Sequence, residues 1–226
     1  NNELMYNNWK NISISKYKCD IDSIDEKEAN DVYINHAVYV PEYCKIVAIT
    51  YATLYLEDGQ IKRHFKKIVD RDEQIVVETF MDVLKQTSSD GSQSTPNQFP
   101  ILCGHNIVNY DIPLLIKRFL KLVSKFQTIK QLPFILKRSL ELKPWESGIL
   151  DTTTIWKFNG HEGASLMQIS DYLGLKRTVD LIKLPELSKY YNESDDDIDD
   201  KLKHIALQSA TQTNLTIQLV NNLRYL

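Results

Sequence analysis

The sequence predicts an α/β domain, and three observations predict it. Residues 45–56 are β-branched and aromatic, and a second such run follows at 61–69 after Glu57-Asp58-Gly59-Gln60. That pattern is a hairpin signature. Residues 73–84 carry Ile75, Val76, Phe80, Val83 and Leu84 at helical spacing. Third, an apolar run at 101–103 enters a turn with Gly104, His105 and Asn106. It then continues into a helix bearing Leu114, Leu115, Arg118, Phe119 and Leu122. Strands that alternate with helices imply layered α/β architecture.

Each element has its own warrant. Residues 1–45 are polar, with one short amphipathic piece from Leu4 and Met5 to Trp9. The near-continuous apolar character of 45–56 predicts a strand largely buried on both faces. Residues 86–100 are polar throughout most of their length and read as a mobile loop, an insertion within one domain spanning 1–226. Pro113 fits the first turn of its helix, where a missing N–H costs nothing. A basic connection follows, ending at Lys143-Pro144-Trp145-Glu146. Residues 149–158 give a strand end that runs into an element of open type. Ser165 opens a helix with Leu166, Ile169, Tyr172 and Leu173 facing inward and Gly174 as its C-terminal cap. The last helix spans about 196–223, and its acidic start suits the positive end of the helix dipole. The run Asp195 to Asp200 lacks the Gly and terminal Glu of a calcium loop, so it reads as a solvated helix start.

Bulk properties narrow the class. The 226 residues are 42% hydrophobic and 25% charged, ordinary globular values. A net charge of −3 exerts no global pull on nucleic acid. Local cations would have to do so, and two segments are candidates: Lys117, Arg118, Lys121, Lys125 and Lys130, then Lys137, Arg138 and Lys143. The bland reading of the first is a solvated helix face. Cys19, Cys44 and Cys103 are widely spaced and odd in number, which suits free thiols in a reducing compartment. No apolar run approaches the ~18 residues needed to span a bilayer. The polar start shows no signal peptide. An intracellular, cytoplasmic domain is expected, and abundant Asn, Ile, Lys and Tyr suit an AT-rich bacterial or viral genome.

The stretch from Leu102 to Leu115 contains Asn106-Ile-Val-Asn-Tyr-Asp111-Ile-Pro113 at a strand-to-helix junction. It resembles the second motif of the DEDD 3′-5′ exonucleases, above all the proofreading domain of family-B DNA polymerases and its stand-alone relatives. Further segments resemble theirs in the same order: Ala37 to Ile49, Lys143 to Glu146, Leu150 to Phe158, and Ala164-Ser165-Leu166 ahead of Leu173-Gly174. The resemblance implies a ribonuclease-H-like mixed sheet flanked by helices. It also implies metal-dependent hydrolysis of nucleic acid from the 3′ end. Such enzymes hold two divalent metals on four carboxylates. Asp111 would be catalytic and a ligand for Mg²⁺ or Mn²⁺, its bland alternative being a cap for the following helix; Asp151 would be either a second ligand or a brace for the strand end. Asn106, Tyr110 and Trp145 would contact substrate, a single-stranded 3′ end of DNA in preference to RNA.

Two departures accompany the likeness. Aligned on Ile205, Thr216, Gln218 and Leu219, the last helix puts Gln212 at the third-motif Asp and Gln208 at its Tyr. Residues 201–226 contain no Asp or Glu. Gln212 is expected on the inward stripe of Ile205 and Leu219. The Asp-X-Glu strand of the first motif is not seen, with Asp20-Ile21-Asp22 as a weak stand-in. Two functions therefore stay open: an exonuclease-like domain with impaired catalysis, or an inactive exonuclease fold serving as a module in a larger assembly.

Overall fold

A computed structural model describes residues 33, 35–87, 100–122, 131–143, 146, 148–158, 160–193 and 197–223. The Leu4–Trp9 piece, Asp20 to Asp22 and Trp145 lie outside the described residues, as does most of the 86–100 loop. The molecule is α/β. Strands β1 (Ala48–Glu57) and β2 (Gln60–Val69) pair antiparallel, from Ala48 opposite Val69 to Glu57 opposite Gln60. Asp58 and Gly59 take φ of 50° and 73°, the left-handed pair that a two-residue hairpin turn demands. Helix α1 (Glu73–Thr87) returns beneath them. Strand β3 (Leu102–Gly104) leads to helix α2 (Asp111–Leu122). Helix α3 (Phe134–Glu141) precedes β4 (Ile149–Asp151), which pairs parallel with β3. Helices α4 (Thr152–Trp156), α5 (Leu166–Leu173), α6 (Leu184–Glu193) and α7 (Ile198–Leu223) complete the chain. Among the described residues the strands form two separate pairs rather than one continuous sheet.

One apolar core sits under both pairs. Val76, Val77, Phe80, Met81 and Leu84 of α1 meet Leu115, Ile116 and Phe119 of α2 and Leu136 of α3; Ile49, Ile68, Leu102 and Ile149 pack against them from the strands. A second, smaller cluster joins Leu166 and Ile169 of α5 to Leu215 and Leu219 of α7. A buried ion pair bolts the larger core. Glu73 accepts from both Arg118 Nε and Nη2 and from the Ile46 N–H, so α1, α2 and the approach to β1 share one carboxylate.

Several expectations change here. Arg118 is buried in that pair, so it is not part of a solvated cationic face. Strand β1 is half-buried only over its first five residues; the rest is exposed on both faces. The predicted strand has the right composition, but its outer half stays exposed, and α7 meets the hairpin there through Asn214, which accepts from Arg63 opposite Leu54. Ile75 is exposed, and Val77 and Met81 take the inward positions on α1. On α5, Tyr172 stands 81% exposed while Ser170 turns inward. The basic connection contains helix α3, whose Ile135 and Leu136 are buried. The undetermined element after β4 is the short helix α4. Helix α6 has no counterpart among the expected elements. The acidic run does what a helix start does: Asp197 accepts from the Asp199 N–H, and Asp199 pairs with Arg71.

Candidate functional site

The turn between β3 and α2 is wrapped around one carboxylate. Asp151, the last residue of β4, accepts from the Asn106 N–H at 2.9 Å and the Thr153 N–H at 2.9 Å through Oδ1. Its Oδ2 accepts from the Val108 N–H at 3.1 Å. It thus caps α4 and ties the turn to β4 at once, which is the bracing role. Asn106 takes φ of 59°, a left-handed conformation that Asn tolerates better than most residues. Gly104 is needed for a different reason. A Cβ there would lie 2.8 Å from the Ile107 side chain.

His105 adds a second brace. Its Nε2 lies 3.1 Å from the Ala164 carbonyl and its Nδ1 3.0 Å from Thr152 Oγ1. Only a protonated Nε2 satisfies a carbonyl, so Nδ1 accepts from Thr152 in the neutral ring. Burial holds the imidazolium below the usual histidine range, which keeps that tautomer. Tyr110 is engaged too. Its hydroxyl donates to the Val38 carbonyl at 2.6 Å, 3.8 Å from the Cys44 sulfur, and fastens the 35–43 segment to the start of α2. Burial raises that phenol well above its ordinary range. Asn106 Oδ1 accepts from Asn109, and the Asn106 side chain is otherwise exposed.

Asp111 stands apart from these. Solvent reaches its side chain, yet the surrounding protein withdraws enough water to raise its carboxyl to about 7. The negative Asp151 adds to the rise, and its own backbone N–H opposes it. Of the expected site residues, the turn brings Asp111, Tyr110, Asn106 and Asp151 together, and only Asp111 offers a carboxylate outside the bracing network.

The last helix contributes differently from expectation. Gln212 is exposed, off the buried stripe of Leu202, Ile205, Gln208, Thr211, Leu215 and Leu219. Heptad spacing keeps Gln212 within about 20° of both Ile205 and Leu219, so its exposure reflects what packs at its level of the helix and not its angle. Gln208 is the inward polar residue. Its Oε1 accepts from the Ile182 N–H at 3.1 Å and its Nε2 donates to the Asp180 carbonyl at 3.0 Å. Gln218 grips Lys176 in the same way, N–H to Oε1 at 3.0 Å and Nε2 to carbonyl at 2.9 Å. Two amides thus strap the irregular segment between α5 and α6 along α7. No sequence motif announced this pair, although the polar residue at 208 within an apolar stripe is the signal that marks it.

The chemistry of the donor set can be tested against a divalent metal. Hard cations take several oxygens, commonly carboxylates. Among the described residues no group of three or more His, Cys, Asp or Glu side chains converges in a metal-holding arrangement. Asp111 and the already engaged Asp151 do not fit a two-metal centre. No described helix is long and apolar enough to cross a membrane. No family model, no curated protein and no solved structure matches the chain.

Proposed function

We propose that this chain is a 3′-5′ exonuclease-like domain that engages a single-stranded nucleic-acid end, with hydrolysis impaired in its described portion. The observation that carries the reading is Asp111. It is an exposed carboxylate at the first turn of α2, outside the bracing network, and its carboxyl is raised to about 7. The braced turn fixes the start of α2, on which this carboxylate sits. A ribonuclease-H-like sheet is part of the same proposal, supported by two strand pairs resting on one core. Mg²⁺ or Mn²⁺ belongs to it only as a cation at Asp111. A second reading, an inactive fold kept as a module of a larger assembly, is favoured by Gln208. The residue at the expected water-positioning place is closed off in a structural clamp.

A 3′-terminal shortening assay separates the two. The full chain is incubated with labelled single-stranded DNA and with RNA, each with Mg²⁺ or Mn²⁺, beside Asp111→Ala. Metal-dependent shortening that vanishes in the variant supports the first reading. DNA bound but never shortened establishes the module. Shortening that persists in Asp111→Ala overturns the assignment of Asp111.

A further inference from the structure

From the Thr50–Lys67 pair to the Glu57–Gln60 pair, β1 and β2 form an arm roughly 26 Å long at strand rise. Both faces of the arm are exposed along most of this length. Strand β2 reads Lys62, Arg63, His64, Phe65, Lys66, Lys67, the densest run of cationic side chains among the described elements. Alternation puts Lys62, His64 and Lys66 on one face, about 6.7 Å apart along the strand. Their cross-strand partners are Tyr55, Thr53 and Tyr51. Tyr51 packs its ring on Phe80 at 5.5 Å and anchors the inner end, while Tyr55 is 49% exposed. Lys62, Lys66 and Lys67 make no ion pair with a described residue. The arm's carboxylates, Glu57 and Asp58, are confined to its tip.

Lysines on an exposed strand can serve simply to discourage edge pairing. That purpose does not require them to share a face with tyrosines. Regularly spaced cations beside an exposed aromatic ring are what a single-stranded nucleic acid demands: charge for its phosphates and a flat surface for a base. In a chain of net charge −3 the concentration is local and directional. We infer that the Lys62–His64–Lys66 face of this arm, with Tyr55, is a binding surface for single-stranded nucleic acid. It lies outside the Asp111 site, and the inference does not rest on hydrolysis there.

The test is fluorescence anisotropy of a labelled oligothymidylate with the full chain in EDTA, across a salt series. EDTA removes cleavage, so failure here is separable from failure of the exonuclease reading. Lys62→Ser with Lys66→Ser is expected to weaken binding about tenfold and to flatten the log–log salt dependence by roughly 1.4, at about 0.7 per lost phosphate contact. Tyr55→Ala is expected to weaken it at least about fivefold through lost stacking. Lys176→Ser with Lys183→Ser removes the same charge from exposed positions elsewhere and should change little. Absence of binding by the parent chain overturns the inference. So does an equal loss in both lysine pairs, which would make the effect one of net charge. If Leu54→Ser with Leu56→Ser alters sedimentation while the arm lysine pair leaves DNA binding intact, the arm joins protein copies instead, and the inference falls.

Discussion

The turn at 104–111 and the arm of β1 and β2 treat polar groups in opposite ways. In the turn, the carboxylate of Asp151, the ring of His105 and the hydroxyl of Tyr110 each have partners within the chain. On the arm, the cations of Lys62, Lys66 and Lys67 have no carboxylate partner among the described residues. The first arrangement fixes a backbone; the second leaves charge available to something outside. The difference teaches where to look for stability and where to look for binding. Substitutions in the braced core should unfold the chain, and those on the arm should leave it folded while changing what it holds.

The largest effect is expected at the Glu73–Arg118 bolt. Arg118→Met strands a buried carboxylate and should lower stability in urea unfolding by about 3–5 kcal/mol. Replacing Glu73 with Leu at the same time should restore part of that loss. Next comes Asp151→Ala, which deprives three N–H groups of their acceptor and should cost about 3 kcal/mol by the same measurement. A cost near zero would mean that the turn is held by something other than this carboxylate.

Asp111 should show as a slope rather than a loss. Its folded pKa, about 7, lies above its ordinary value of 3.8, so the folded chain keeps a proton that the unfolded chain has released. Its contribution is full below the ordinary value and is lost as pH rises through about 7. In metal-free protein, stability should therefore fall between those limits by a component that Asp111→Asn removes. Unchanged slope in the variant would show that the carboxyl is not perturbed. The smallest effect is expected on the arm, where Lys62→Ser and Lys66→Ser should each leave stability within about 0.5 kcal/mol. A larger loss would reveal a structural role for the cations and erase the contrast.

Much of this contrast was legible in residues, though unevenly. The hairpin turn at Asp58-Gly59, the Ser165 cap and the Gly174 stop are local chemistry, and the helix α5 they bound is where they predict it. The capping box of Ser165 with Gln168 even closes both reciprocal hydrogen bonds. What sequence pattern does not carry is which apolar or charged face finds a cover. Ile75 and Tyr172 fit helical stripes and yet face outward. Arg118 reads as one cation in a basic row until Glu73, 45 residues away in the chain, is seen to claim it. The cations of β2 read only as part of a hairpin strand, and it is the exposure of that strand that brings them to solvent. Gln208 and Gln212 lie one helical turn apart, and only the packing of α7 decides which one is enclosed.

The two amide straps on α7 have a consequence for how the molecule breathes. A segment without helix or strand ordinarily trades its amide hydrogens with water quickly. Here the Lys176 and Ile182 amides are held by side chains rooted in a long helix, so they should exchange only when that helix lets go. In deuterium labelling, this irregular stretch would keep time with α7 and not with the loops that it resembles in outline.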